Sequence, residues 1–426
     1  MQFYSTNNKS QLVSFKEAVK KGLPEDNGLF MPAVIPQLPK EFFDSLDTLS
    51  IPEIGYEILK PFVSEDVPDV VLKDICHDAF SFELPLVNVD ENINVLELYH
   101  GPTLAFKDFG ARFMARVLGY FNAENNSKNT ILVATSGDTG SAVASGFYEV
   151  ENVEVVILYP EGKISDLQEK QMTTLGKNIH AVAIDGTFDD CQRLVKAAFL
   201  DQELSSKYGL TSANSINIAR LLPQMVYYFY AWSRLADKSK PIVFSVPSGN
   251  FGNLTAGMIA RKMGLPIDHF IAATNVNDIV PEYLESGNFN PRPSIETISN
   301  AMDVGNPSNF VRLQEIFNQS LDQFNKELTG YHYSDDETRE TIKEVYTDKE
   351  YILDPHGAIG YRALQAYLKL NDVTGVVLET AHPIKFGEVV EPLIDKQLTL
   401  PESLKSVMEL EKQREYCSSG FVNFNA

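Results

Sequence analysis

Three short segments of this sequence combine residue types that can grip anions and move protons. SGNFGN, Ser248 to Asn253, follows the apolar run PIVFSVP and opens the helical pattern NLTAGMIARKM. Its two glycines let main-chain N–H groups converge, and a following helix N-terminus adds about half a positive charge, so Gly249, Asn250, Phe251, Gly252 and Asn253 can cradle a phosphate without a basic side chain. A tight strand-to-helix turn is the alternative. The segment lacks the G-K-[ST] of a nucleotide P-loop and the third glycine of a dinucleotide fingerprint. TSGDTG, Thr135 to Gly140, holds the equivalent place after TILVA. Ser136, Asp138 and Thr139 can bind a carboxylate there, or serve as ordinary helix caps. Together the two loops argue for two anionic groups held at once. In HGPTLAFKDFGARF, Lys107 stands between Phe106 and Asp108 at the start of a helical pattern. Desolvation and the helix dipole would lower its pKa, as a carbonyl-attacking amine requires, although a surface lysine opening a helix has the same spacing.

Two further residues stand out. Arg220 is the only charged side chain between Thr211 and Ser233. An internal carboxylate and a substrate phosphate suit its guanidinium equally well. Asn217 lies three positions before it, on the same helix face, with Asn214 just upstream. LETAHPIKFGE follows the strand pattern TGVV and presents Thr380 and His382 at a strand end, where Thr380 can meet a ring nitrogen or simply enter a turn set by Pro383. The seven histidines form no HExxH, and no carboxylates have metal-loop spacing, so no catalytic metal is expected.

The elements that must position these residues alternate. Strand patterns VLELYH, TILVAT, VEVVILYP and HAVAID are separated by helical ones, and PIVFSVPSG, FIAATN and VTGVVLET continue the series. This is the signature of an α/β fold with open, mostly parallel sheets, whose ligands sit at the carboxyl ends of strands. Residues 1–85 read as an accessory N-terminal domain, 86–112 with 214–426 as a large α/β unit, and 113–213 as a smaller unit closing over substrate. Pro223 predicts a break in the helical stretch INIARLLPQMVYYFYAWSRL.

Composition bounds the partners. The 426 residues carry a net charge of −22, which repels nucleic acid and anionic membranes. The same charge makes a phosphorylated ligand look awkward. No apolar run approaches the roughly 18 residues of a membrane span. The three scattered cysteines and an N-terminus without a signal-peptide core predict a cytoplasmic protein. A monomer or homodimer is expected, though no residue pattern decides between them.

HGPTLAFKD, ATSGDTG, YPEGKIS, NSINIARLLPQ, SGNFGN and ETAHPIKF, in this order, together with GLPEDNGLFMP, resemble the threonine synthases of the short microbial type over nearly the whole chain. That resemblance implies a fold-type II, tryptophan-synthase-like enzyme with pyridoxal 5'-phosphate between its α/β units. It implies conversion of O-phospho-L-homoserine and water to L-threonine and phosphate. Lys107 would bear the cofactor and then act as acid and base, Gly249 to Asn253 would hold its phosphate, and Thr380 would meet the pyridine nitrogen. Ser136, Asp138 and Thr139 fall at the substrate end, with Thr103, Asn214, Asn217, Arg220 and Lys163 as further contacts. Released phosphate would remain and serve as base for water addition. The alternatives are a phosphohomoserine lyase releasing 2-oxobutyrate, an amino-acid dehydratase of the same fold, disfavoured by Asp138, and a non-catalytic cofactor-binding protein.

Overall fold

The computed structural model describes residues 1–125 and 127–418. A six-stranded sheet runs in the order Leu328–His332, His269–Thr274, Ile242–Pro247, Thr374–Glu379, Ile93–Glu97, Leu86–Asp90. Every neighbouring pair is parallel except the last. Its central strands Ile242–Pro247 and Thr374–Glu379 are buried at every position, which is why their sequences show continuous apolar runs rather than alternation. A second sheet orders Glu415–Ser418, Ile179–Asp185, Val153–Pro160, Asn129–Ala134 and Leu210–Thr211, all parallel. The loops after Ala134, Pro247 and Glu379 therefore all lie at carboxyl ends of strands, as the alternation of elements requires.

The strands of the larger sheet all come from the ranges expected for the large unit. The C-terminal limit of that unit is corrected. Glu415–Ser418 crosses back and pairs with Val182–Asp185 of the smaller sheet. It covers a strand edge that would otherwise be open. Lys412 reinforces the crossing by pairing with Asp166 at 2.7 Å and Glu169 at 2.6 Å. The N-terminal region forms an antiparallel three-stranded sheet, Asn8–Ser14, Gln2–Ser5 and Phe30–Pro32, followed by helices Ile51–Val63 and Asp69–Ala79. Leu328–His332 is a strand in a stretch whose polarity had hidden it. The expected break at Pro223 is present, because the 3-10 turn Leu222–Gln224 separates helix Ile218–Leu221 from helix Met225–Arg234.

One buried side chain joins these parts. Arg312, in helix Phe310–Ile316, is wholly inaccessible and has no ion-pair partner among the described residues. It donates to the carbonyls of Phe30 at 2.9 Å, Ser215 at 3.2 Å and Ile216 at 2.7 Å, and to Asn309 Oδ1 at 2.7 Å. Burial pulls its pKa down to about 9. The N-terminal sheet, the 214–217 segment and, through the Asn309 N–H bond to the Asn250 carbonyl, the SGNFGN loop all meet at this guanidinium. Arg312→Ala would remove the donor that the Phe30, Ser215 and Ile216 carbonyls share, so it should cost about 3 kcal/mol of stability, read from the urea denaturation midpoint.

Candidate active site

Lys107 begins helix Lys107–Asn125, and the chain just before it is clamped to the end of strand Thr374–Glu379. The Phe106 N–H donates to the Thr380 carbonyl at 2.9 Å, the His382 N–H to the Leu104 carbonyl at 3.0 Å, and Ala105 pairs antiparallel with Ala381. Leu104, at φ +58°, makes the reversal that brings the two segments together. Lys107 and Thr380 thus line one cavity of about 750 Å³, together with Ser136, Asp138, Thr139, Asn214, Arg220 and Gly249 to Asn253.

The SGNFGN loop has the strain and the space expected of an anion cradle. Phe251 holds φ +60° and directly precedes helix Gly252–Lys262, whose first N–H groups have no intrahelical acceptor. A Cβ on Gly249 would lie 2.7 Å from the Ala301 carbonyl oxygen and 2.9 Å from Met302 Cα. Asn253 accepts from Tyr227 at 2.8 Å and Tyr228 at 2.7 Å through Oδ1, while its buried Nδ2 has no partner among the described residues. Arg220 Nη1 donates to the Ala213 carbonyl, and its buried Nε likewise has no partner among the described residues. Burial lowers the Arg220 pKa to about 10, against an opposing pull from Asp108. Two unspent donors and a helix N-terminus around one cavity fit a phosphate ester.

The cavity floor is more cationic than the acidic surface implies. Lys107 Nζ lies 3.7 Å from Asp138 Oδ2, and Asp138 Oδ1 is 2.6 Å from Lys385 Nζ and 2.9 Å from Gln168 Nε2. Burial drives the Lys107 pKa down; Asp138 opposes that shift, and Lys385 and Arg220 add to it. Burial also works against the Asp138 charge, but Lys385 first and Lys107 second hold its carboxyl far below the usual range. The site therefore combines a lysine inclined to lose its proton with a permanently ionised aspartate. Thr380 Oγ1 brings a neutral hydroxyl to the same cavity. A carbonyl-bearing cofactor with a phosphate and a pyridine nitrogen fits this donor set.

Three expected contacts lie elsewhere. Thr103 spends its N–H and hydroxyl on Asp108 at 2.9 and 2.7 Å and does not line the cavity. Asn217 caps helix Ile218–Leu221 and donates to the Val19 and Ser212 carbonyls, each at 3.0 Å, so its amide is consumed in tethering the N-terminal segment. Lys163 is half exposed, outside the cavity lining, with Glu296 at 3.5 Å. The sequence reading missed Lys385 and Gln168. Lys385 carried a signal, since it sits between Ile384 and Phe386 in the same segment as Thr380. Among the described residues, no His, Cys, Asp and Glu group of three or more could hold a metal ion.

Comparisons with known proteins agree with this geometry. Residues 84–379 match the family described as pyridoxal-phosphate dependent enzyme, residues 2–80 the threonine synthase N terminus, and residues 357–420 the threonine synthase C-terminal family. The threonine synthase of Haemophilus influenzae is 49% identical over 100% of this chain and 99% of that protein. The crystal structure of threonine synthase from Escherichia coli superposes with a TM-score of 0.93 at 46% identity, covering 99% of this chain and 97% of that one. A structure titled PLP-bound threonine synthase from Brucella melitensis gives 0.92 at 37% identity, with 99% and 97% covered.

Two outcomes follow from the site. Gly249→Ala should weaken equilibrium binding of pyridoxal phosphate to cofactor-free protein by at least about tenfold, since backbone rather than a flexible side chain blocks the new methyl. His382 Nδ1 accepts the Ile384 N–H at 3.1 Å, capping the turn that carries Lys385. Burial, then His100, lowers the His382 pKa from 6.5 to about 4. Its folded value is depressed, so the stability it contributes is full above about pH 6.5 and is lost as pH falls towards 4. On the order of 2–3 kcal/mol should disappear across that window in denaturation curves, and less in His382→Asn, which keeps a cap acceptor but does not titrate.

Proposed function

The chain belongs to the threonine synthase family of pyridoxal-phosphate dependent enzymes, and from that premise we propose that it converts O-phospho-L-homoserine and water to L-threonine and phosphate. The observation that carries this reading is a buried, proton-shedding Lys107 set between the SGNFGN and TSGDTG loops in one cavity. Gly249 to Asn253 would hold the cofactor phosphate through main-chain dipoles, and Thr380 would offer its hydroxyl to the ring nitrogen. When bound, pyridoxal phosphate supplies an electron-withdrawing ring that stabilises negative charge at the substrate α-carbon.

The chain's own residues do the rest. The free Lys107 amine would take protons from the substrate Cα and Cβ and return one to Cγ. Ser136 and Thr139 sit where the helix Asp138–Phe147 begins and would receive the α-carboxylate. Arg220, with Nε free, and Asn253, with Nδ2 free, are suited to the phosphate that leaves Cγ. Thr380 would offer a neutral hydroxyl rather than a carboxylate to that ring, which would make the ring a less extreme electron sink. Cys76 and Cys191 are buried free thiols, which accords with a cytoplasmic setting.

The deciding experiment is incubation with O-phospho-L-homoserine, following phosphate release and identifying the amino acid formed. L-threonine in equal amount to phosphate is expected. A keto acid instead would establish a lyase. Lys107→Ala should lose at least about 10³-fold in turnover together with the visible absorbance of the bound cofactor.

A further inference from the structure

Lys385 has no place in the reaction just described, yet it is the more deeply buried of the two lysines beside Asp138. It stands in the turn Pro383–Phe386 with its side chain wholly inaccessible. Its ammonium has two close acceptors, Asp138 Oδ1 at 2.6 Å and the Thr103 carbonyl at 2.9 Å. Lys107 has the same carboxylate only at 3.7 Å, through Oδ2. Gln168 adds a further donor to Oδ1 at 2.9 Å, so Asp138 is already well supplied without Lys107.

Counting charge makes the consequence plain. The groups acting on Lys107 are Asp138, Lys385, Arg220 and Asp354. Asp108, its chain neighbour, is buried against Thr103, and burial raises its pKa. One close carboxylate is therefore shared by two lysines, with a guanidinium near by. In a site screened from water such an excess of cations is relieved by loss of a proton. The two strong acceptors are both spent on Lys385. Lys107 is left with one long ionic contact, and the loss of a proton falls to it.

We propose that Lys385 is a positioning residue for Lys107: by occupying Asp138 it denies Lys107 a full ion pair and so keeps the Lys107 amine in the neutral form that attacks a carbonyl and accepts protons. This rests on the reading of Lys107 as that amine. A purely structural Lys385, anchoring its turn, would leave the Lys107 titration where it is.

The test uses cofactor-free protein and does not depend on turnover. Lys107 is labelled with trace acetic anhydride from about pH 6 to about pH 10 and its modification is quantified by peptide mass spectrometry, which gives the midpoint of its titration. Lys385→Met should move that midpoint up by about one unit or more, a tenfold loss of labelling below it, because Asp138 is then free to pair with Lys107. Lys385→Arg, which keeps the charge, should return it most of the way. Asp138→Asn, with Lys385 intact, should move it down. An unchanged midpoint in folded Lys385→Met overturns the proposal; if that variant does not fold, an Asp138→Asn midpoint that fails to fall overturns it instead. Borohydride trapping of pyridoxal phosphate on a residue other than Lys107 in the intact protein would refute the reading of Lys107 itself, independently of whether the labelling midpoints move.

Discussion

The Asp138 carboxylate is the contact on which the arrangement turns. It belongs to the smaller sheet's first helix, yet it reaches Lys385 on the segment after strand Thr374–Glu379 and approaches Lys107 at the start of helix Lys107–Asn125. Charges brought together without water must balance closely, because an isolated buried ion is costly. Asp138 meets that condition only if both α/β units hold their relative position. The Ala105–Ala381 bridge fixes one side of this geometry, and capping of the Pro383–Phe386 turn by His382 fixes the lysine that meets Asp138.

A net charge of −22 and a phosphorylated ligand are reconciled by the same economy. The SGNFGN loop has no charged residue, so its attraction for an anion comes from convergent main-chain dipoles and acts over a few ångströms. Arg220 and Arg312 are buried and their positive charge is screened from solvent, one lining the cavity and one bracing the segments behind it. The acidic surface governs what approaches from a distance. The cavity is governed by groups the surface does not reveal.

Much of this was legible in the chain. The alternation of helical and apolar patterns, the loops after Ala134 and Pro247, and the break at Pro223 depend on local preferences and were readable as such. Lys107, Asp138, Arg220, Thr380 and the SGNFGN residues were each marked by an unusual neighbourhood, and the fold gathers them around one cavity. Asn217 was marked in the same way, Lys163 and Thr103 only through the resemblance, and none of the three lines it. Asn217 is spent on the Val19 carbonyl, 198 positions away in the chain. No local pattern predicts a partner at that separation.

The sequence alone thus determined the element types, the open parallel sheets and the chemistry available, because backbone propensity and side-chain type are properties of short segments. Tertiary structure decided how that chemistry is shared out. Whether Asp138 pairs with Lys107 or with Lys385 depends on a difference between 3.7 and 2.6 Å across elements far apart in the chain. At 2.6 Å the contact is a charge-assisted hydrogen bond and at 3.7 Å it is not, and the low dielectric of a buried site magnifies the electrostatic difference between the two.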